Sequence, residues 1–371
     1  MQNWDIFCRI VDNFGDIGVT WRLSRQLVSE HGISVRLWID DLETAGKLIP
    51  GLDPELSYQQ IHGVEIAQWD GADQALPAEV VIEAFACELP SGYLEKMAAK
   101  QPKWINLEYL SAEPWVEGFH AQQSRHPTLP LTKHFFFPGF TSTTGGLLRE
   151  RDLMTRRDAF VESTEAKAKF QKKLQIPDRD PLKVSLFCYP QAPLSQLLGA
   201  LAQSPRSILC LVPNSGVWPA ISELLRVEMQ PGLSISVGNL TLLPLRFLTP
   251  DEYDQLLWLC DINFVRGEDS WVRAIWAGKP MVWQPYRQPE NTQMEKLAAF
   301  LHRYSSGLGA NAASAMQRCH ASWSSETFPE SAWRDFLEIL PELSEHTATY
   351  SEKLARELDL ASKLVIFCRN T

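Results

Sequence analysis

Apolar stretches of strand length alternate with amphipathic stretches of helix length along the first part of the chain. The stretches 4–11, 19–31 and 33–40 predict a strand, a helix ended by Gly32 and a second strand. This succession is typical of a parallel βαβ unit. The alternation continues with predicted strands at 79–85, 102–110 and 134–140 and predicted helices at 89–100 and 152–175.

The alternation restarts after a polar, proline-containing stretch at 176–181. Thr249 and Pro250 mark the start of a predicted helix at 249–260, because Thr is a good N-cap and Pro is favoured at the first helical position. The stretch 261–286 predicts a strand, a turn, a helix and a strand. The other predicted elements are strands at 183–189, 207–213, 234–239 and 240–247 and a final helix at 350–367.

Two successive patterns of this kind predict an α/β protein with two Rossmann-like domains that face a central cleft. We expect residues 1–176 to form the first domain and residues 177–349 the second. The C-terminal helix, within 350–371, is expected to return to the first domain. A chain of 371 residues is too long for one ordinary core, which agrees with two domains.

Composition narrows the functional classes. The net charge of -10 argues against a broad nucleic-acid-binding surface. No run approaches the roughly 18 apolar residues of a membrane-spanning helix, and the N-terminal segment does not resemble a signal peptide. The seven cysteines are scattered without a CxxC pair, which favours buried free thiols in a reducing compartment over a zinc site. A cytoplasmic protein is therefore expected.

The first candidate site is the sequence DNFGDIG at 12–18, directly after the first predicted strand. Ligands of open α/β sheets bind at the carboxyl ends of strands, and glycine permits close backbone approach. Asp12 and Asp16 could therefore face a ligand, one as a base and the other holding a cation. The alternative is a simple helix cap with solvent-exposed acids.

The second candidate site is the sequence RGEDS at 266–270, at the equivalent position of the second domain. The N–H groups at a helix N-terminus bind phosphate well, and Glu268 is suited to accept ribose hydroxyl groups. The alternative is that these acids only cap the helix. Other polar and aromatic residues near strand ends of this domain could stack on a base, although core packing also explains each of them: Phe187, Tyr189, Phe247, Tyr286 and Gln288.

Several segments resemble the EarP family of bacterial protein-arginine rhamnosyltransferases: IFCRIVDNFGDIGVTWRLSRQL, IEAFACELP, WINLEYLSAE, GGLLRERD and VRGEDSWVRAIWAGKP. The resemblance runs from the first strand to about residue 300. It implies a GT-B fold and an inverting transfer of L-rhamnose from dTDP-β-L-rhamnose to one arginine of translation elongation factor P. The modified factor relieves ribosomes stalled at polyproline. Neither a metal nor a cofactor other than this donor is implied.

The resemblance also implies roles for individual residues. Asp16 matches the family's proposed general base, and Asp12 its acidic neighbour. The remaining acceptor-side residues are Asn13, Phe14 and Gly15. The residues matched to the donor side are Glu268, Asp269, Ser270, Phe187, Tyr189, Gln255, Tyr286 and Arg266.

Two other functions fit parts of the same pattern. One is a GT-B transferase that uses another nucleotide sugar and a carbohydrate or lipid acceptor. Nucleotide selectivity distinguishes this alternative from the function that the resemblance implies, since a thymine-specific site favours dTDP over UDP. The other is a two-domain nucleotide-binding clamp without catalytic activity, of the periplasmic type, for which a signal peptide would be expected.

Overall fold

The computed structural model of the chain describes residues 2–12, 14–177 and 180–371. The chain divides into two compact units. Unit 1 comprises Met1–Arg151 and Ala355–Thr371, and unit 2 comprises Asp152–Leu354. Asn13 and two residues of the predicted 176–181 boundary lie outside the described residues.

Unit 1 is built on one sheet, whose strands within the described ranges are β1 (Asn3–Cys8), β2 (Ser34–Ile39), β3 (Tyr58–Ile61), β4 (Val64–Gln68), β5 (Val80–Ala84), β6 (Lys103–Leu107), β7 (Gln123–Arg125) and β8 (Thr132–Phe136). Its first helices are α1 (Phe14–His31), α2 (Leu42–Leu48), α3 (Ser91–Lys100) and α4 (Val116–Phe119). The order is β3-β4-β2-β1-β5-β6-β8-β7. The two edge strands, β3 and β7, are antiparallel to their neighbours, and the other strands pair in parallel.

The parallel strands of unit 1, counted along the chain, lie in the Rossmann order 3-2-1-4-5-6. The order reverses between β1 and β5, which pair directly. Ligands of such sheets bind outside the carboxyl ends of the strands at this reversal. The fold therefore directs attention to the residues that follow Cys8 and Ala84.

Unit 2 contains a second sheet in its described part, formed by β9 (Leu182–Leu186), β10 (Ile208–Pro213), β11 (Ile235–Val237), β12 (Leu240–Leu245), β13 (Ile262–Arg266) and β14 (Met281–Gln284). Its helices are α5 (Leu153–Glu162), α6 (Thr164–Lys173), α7 (Leu194–Ala202), α8 (Trp218–Leu225), α9 (Pro250–Leu259), α10 (Asp269–Ala277), α11 (Gln293–Tyr304), α12 (Ala310–Trp323), α13 (Glu330–Glu338) and α14 (Leu340–Ala355). The order β11-β12-β10-β9-β13-β14 reverses between β9 and β13, so the residues after Leu186 and at Arg266 lie beside that reversal.

The last helix, α15 (Leu360–Asn370), returns to unit 1, as the sequence predicted. Leu360, Leu364 and Val365 are buried in the same apolar core as Ile17 and Leu23 of α1. All seven cysteines are buried free thiols. None of the helices in the described ranges combines the length and apolar character needed to cross a membrane.

The domain boundaries differ from those expected. The predicted single helix at 152–175 is two helices, because Ser163 ends α5 and caps α6 by accepting the Ala166 N–H at 3.1 Å. Both belong to unit 2, so the first boundary lies at Arg151 rather than at residue 176. The reason is packing: Phe160 contacts Trp258 with ring centroids 5.7 Å apart.

The predicted final helix at 350–367 is also two elements. Residues 350–355 complete α14, which belongs to unit 2 up to Leu354. A new helix starts at Leu360, where the Asp359 carboxylate caps it by accepting the Ser362 N–H at 3.0 Å. The chain therefore re-enters unit 1 at Ala355, later than the residue 350 that was expected.

Candidate active site

Asp16 lies at the carboxyl end of the unit 1 sheet, in the first turn of α1. Its side chain is only 2% exposed. The backbone N–H groups of Val11 and Asp12 donate to its Oδ2 atom at 2.8 and 2.9 Å, which satisfies the loop before the helix. The Tyr109 hydroxyl donates to its Oδ1 atom at 3.2 Å. These three hydrogen bonds fix the orientation of the carboxylate.

The interpretation of 12–18 as a turn was only partly right. The helix begins at Phe14, so Phe14, Gly15 and Asp16 are already helical, whereas the sequence predicted a start at Val19. One oxygen of Asp16 holds the helix start, and the other accepts the Tyr109 hydroxyl. Asp16 is buried, so the alternative of a solvent-exposed cap does not describe it.

Gly15 lets the Asp12 carboxylate fold over the first turn of the helix. A Cβ atom at this position would lie 3.0 Å from Asp12 Oδ2, tighter than ordinary side-chain contacts. The Gly15 N–H also donates to the Asp12 carbonyl at 2.7 Å. Asp12 and Asp16 are thus brought to the same helix start, with Asp12 half-buried and Asp16 buried.

A strained loop follows β5, the neighbour of β1. Phe85, Ala86 and Glu88 have φ angles of 57°, 53° and 54°, in the left-handed region that residues other than glycine seldom adopt. The ring of Phe85 stacks on Tyr109, with centroids 4.3 Å apart. Such strain is concentrated at functional sites in many proteins. Here the strained loop places Phe85 against Tyr109, whose hydroxyl contacts Asp16.

In unit 2 the side chain of Arg266 lies against two aromatic rings. Its guanidinium carbon is 4.7 Å from the ring centroid of Phe187 and 4.5 Å from that of Tyr189. Arg266 ends β13 and the two aromatics follow β9, so the group lies at the reversal of the strand order. Arg266 is 8% exposed. An arginine held on aromatic faces is well suited to bind a diphosphate.

The turn after Arg266 is fixed from β14. Gly267 has a φ angle of 60°, which glycine adopts without strain. Its N–H donates to the Gln284 carbonyl at 3.2 Å, and its carbonyl accepts the Trp283 Nε1–H at 2.8 Å. Gln284 Oε1 also accepts the Tyr189 N–H at 3.0 Å. The two chain segments that carry Arg266 and Tyr189 are therefore joined through one strand end.

The three residues that follow Gly267 differ in their surroundings. Glu268 is the N-cap of α10 and makes no capping hydrogen bond with its side chain. Asp269 begins the helix, and both acids are partly exposed. The Ser270 hydroxyl donates to the Arg266 carbonyl, and its oxygen accepts the Arg266 N–H at 3.0 Å. Ser270 therefore supports the turn itself, a role that the sequence did not indicate.

Tyr286 and Gln255 are placed differently. Tyr286 is 47% exposed and packs edge-on against Tyr189, with ring centroids 5.7 Å apart. The structure therefore places Tyr286 beside the cluster of Arg266 and its two aromatic rings. Gln255 lies in α9 two residues after Tyr253, whose ring contacts Phe187 at 5.5 Å. Two residues correspond to about 200° around a helix, so Gln255 lies on a different face of α9 from Tyr253.

Sequence reasoning missed Tyr109, Tyr253 and Gln284. The Tyr253 hydroxyl is buried, and burial is the main cause that raises the pKa of this phenol. It therefore remains a neutral hydroxyl group near Ser270. Tyr109 follows β6 and Gln284 ends β14, positions at which polar and aromatic residues of a Rossmann sheet are candidates for ligand contact. That positional signal was present in the sequence.

Comparison with known proteins identifies the relatives of this chain. A family described as Elongation-Factor P (EF-P) rhamnosyltransferase EarP matches residues 4–369. The chain belongs to the EarP family. A relative from Pseudomonas putida, named protein-arginine rhamnosyltransferase, is 47% identical over 374 residues, with 99% of each chain covered. The chain is accordingly an enzyme of the glycosyltransferase class, which confirms the family predicted from the sequence.

Two solved structures bear on the fold of this EarP-family chain. One, described as the structural basis for EarP-mediated arginine glycosylation of translation elongation factor EF-P, matches with a TM-score of 0.72 at 36% identity and covers 100% of both chains. The other is Anabaena Alr3699/HepE in complex with UDP and glucose, with a TM-score of 0.53 at 11% identity over 100% of this chain and 99% of that one. The second likeness concerns the fold alone. The predicted GT-B class is confirmed.

Proposed function

We propose that this enzyme transfers L-rhamnose from dTDP-β-L-rhamnose to an arginine side chain of translation elongation factor P, with inversion at the anomeric carbon. Membership of the EarP family carries the proposal. The arrangement of Asp16 at the strand reversal of unit 1 supports an acceptor role for that unit. The Arg266 group of unit 2 supports binding of a nucleotide sugar there.

The acceptor presents the harder chemical problem. A guanidinium has a pKa above about 12 and a delocalised lone pair, so its nitrogen is a poor nucleophile at neutral pH. A base that removes a proton from the attacking nitrogen solves this problem. The Oδ1 atom of Asp16 is the candidate base, since Oδ2 already accepts two backbone N–H groups. Asp12, folded over Gly15, is suited to bind a second guanidinium N–H.

The proposed step exchanges one bond for another. A guanidinium nitrogen attacks the anomeric carbon of rhamnose, and the bond from that carbon to the diphosphate oxygen breaks. The electron pair leaves with dTDP, and the proton of the attacking nitrogen passes to Asp16. Attack opposite to the leaving group converts the β-linked donor into an α-linked product.

The leaving diphosphate develops negative charge that the enzyme must stabilise. Arg266 supplies a guanidinium oriented by Phe187 and Tyr189, and the first turn of α10 supplies backbone N–H groups. Glu268 is suited to accept a ribose hydroxyl. This residue set supplies the charge stabilisation that a metal ion provides in other transferases, so we expect activity without added metal or cofactor.

In the cell the proposed substrate places the enzyme in the cytoplasm, where elongation factor P acts on ribosomes. The modification would activate the factor for ribosomes stalled at polyproline. We expect no nucleic acid or membrane to take part in the reaction itself, which agrees with a net charge of -10.

The function is tested by incubating the enzyme and elongation factor P with dTDP-rhamnose, UDP-glucose or UDP-N-acetylglucosamine, in the presence of a chelator. Intact mass spectrometry follows the acceptor. A gain of one deoxyhexose with dTDP-rhamnose alone is expected. Transfer from a UDP-sugar instead would support the alternative GT-B transferase, and no transfer from any donor would contradict the proposal.

A further inference from the structure

Two large aromatic side chains of unit 1 are exposed side by side. Trp115 is 47% exposed and Phe119 is 57% exposed, and their ring centroids are 5.8 Å apart. Trp115 also packs edge-on against Phe137, which is 8% exposed, at 5.5 Å. Exposed aromatics with a buried anchor are typical of the residues that dominate protein–protein interfaces.

The pair is held in place before any partner binds. Trp115 is the N-cap of α4 and Phe119 is its last residue. The C-cap residue His120 accepts the Phe137 N–H with its Nδ1 atom at 3.1 Å. Burial lowers the pKa of His120, so its neutral ring can accept this bond. The Gly145 N–H donates to the Phe137 carbonyl at 2.7 Å. A rigid surface of this kind loses little conformational entropy on binding.

The pair lies at the same edge of the sheet as Asp16. Trp115 follows β6 through a short loop, and Phe137 directly follows β8. The adjacent strands run in the order β1-β5-β6-β8, and at about 4.8 Å per strand the pair lies roughly 15 Å from the end of β1. Tyr109 joins the two regions, since it leaves β6 and contacts Asp16.

Acidic residues flank the aromatic pair. Glu113 is half-buried and accepts the Ser111 hydroxyl at 2.8 Å, and Glu117 is exposed on α4. Glu108, half-buried, begins the loop that leads to Trp115. A protein surface that offers an arginine to Asp16 presents positive charge near these carboxylates, and such complementarity speeds encounter and sets orientation.

We propose that Trp115 and Phe119 form the docking surface for the protein that carries the target arginine. This inference rests on the proposed function. The surface holds the acceptor protein along the sheet edge, so that a single exposed arginine reaches Asp16. Recognition of a folded partner, and not only of an arginine side chain, then limits the reaction to one protein.

The test compares Trp115→Ala and Phe119→Ser with the unmodified enzyme, using elongation factor P and dTDP-rhamnose as substrates. We expect the KM for the acceptor protein to rise about 30-fold for Trp115→Ala, the size of an interface hot spot. The KM for dTDP-rhamnose should not change, and both variants should remain folded at the assay temperature. Trp115→Phe should recover most of the acceptor affinity.

Tyr58→Ala is the matched control, because Tyr58 is 58% exposed on β3, at the opposite end of the same sheet. Its acceptor KM should equal that of the unmodified enzyme. An unchanged acceptor KM for both test variants would refute the docking surface, while rhamnose transfer by the unmodified enzyme would leave the proposed function intact. A change of oligomeric state for Phe119→Ser in sedimentation would instead assign the surface to self-association.

Discussion

Replacing Asp16 by asparagine keeps the size of the side chain and removes its charge. The amide oxygen can still accept the N–H groups of Val11 and Asp12. Hydrogen bonds to a charged group contribute about 1.5–3 kcal/mol each, and those to a neutral group about 0.5–1.5 kcal/mol. The two bonds together therefore lose about 2 kcal/mol, a loss that a folded enzyme of this size tolerates.

The effect on transfer should be much larger than this loss of stability. If Asp16 Oδ1 removes the guanidinium proton, the amide nitrogen that replaces it can only donate a hydrogen bond. General bases contribute about 10²- to 10⁴-fold to a rate, so kcat should fall within that range. The affinity for dTDP should not change, because Asp16 belongs to unit 1 and the candidate donor residues to unit 2.

The assay combines urea unfolding, calorimetry with dTDP and initial rates of transfer. Asp41→Asn is the matched control in the same unit, because Asp41 caps α2 by accepting the Thr44 N–H at 3.0 Å and is exposed. Asparagine is an equally good cap, so that variant should keep its activity. Transfer by Asp16→Asn at more than a tenth of the normal rate would refute the assignment of Asp16 as the base.

Other predictions concern unit 2. Arg266→Met should weaken dTDP binding about 10- to 100-fold, as expected for the loss of a charged hydrogen bond; unchanged affinity in calorimetry would remove Arg266 from the donor site. Asp254→Ala should destabilise unit 2 by about 3–5 kcal/mol in urea unfolding, because the Asp254 carboxylate accepts two hydrogen bonds from the buried Arg273 at 2.8 and 2.6 Å. The double variant Asp254→Leu with Arg273→Met should recover most of that loss. A mild effect of the single variant would contradict this prediction. Hydrogen bonds from Arg246 are the main cause that lowers the pKa of Glu252 from 4.5 to about 2. Its carboxylate therefore stabilises the fold above pH 4.5 and loses this effect as the pH falls toward 2. The difference in unfolding free energy between the unmodified protein and Glu252→Gln should close over that range, and a difference independent of pH would contradict this prediction.

The sequence was sufficient for the two Rossmann-like sheets and for the strand ends that carry the candidate residues. Buried parallel strands have a strong apolar signal, and the polar residues after β1 and at the end of β13 interrupt it. The start of α1 was misjudged because Gly15 and Gly18 resemble turn residues. The Asp16 carboxylate stabilises the helix start from inside the helix and overrides this weak propensity.

The contacts of the candidate site could not be predicted from the sequence alone. Tyr109 and Asp16 are 93 residues apart in the chain and meet only because their strands end at the same edge of the sheet. The same limit explains the boundary at Arg151, since the sequence of α5 does not show that its buried Phe160 packs in unit 2. The catalytic and donor-binding roles of the candidate residues stay predictions.

The most direct test of the central claim locates the sugar on the acceptor. Elongation factor P is treated with the unmodified enzyme or with Asp16→Asn and dTDP-rhamnose, digested, and its peptides are sequenced by electron-transfer fragmentation. The account predicts one deoxyhexose on one arginine with the unmodified enzyme and a strongly reduced yield with the variant. A sugar on serine, threonine or asparagine, or an acceptor that remains unmodified, would contradict it.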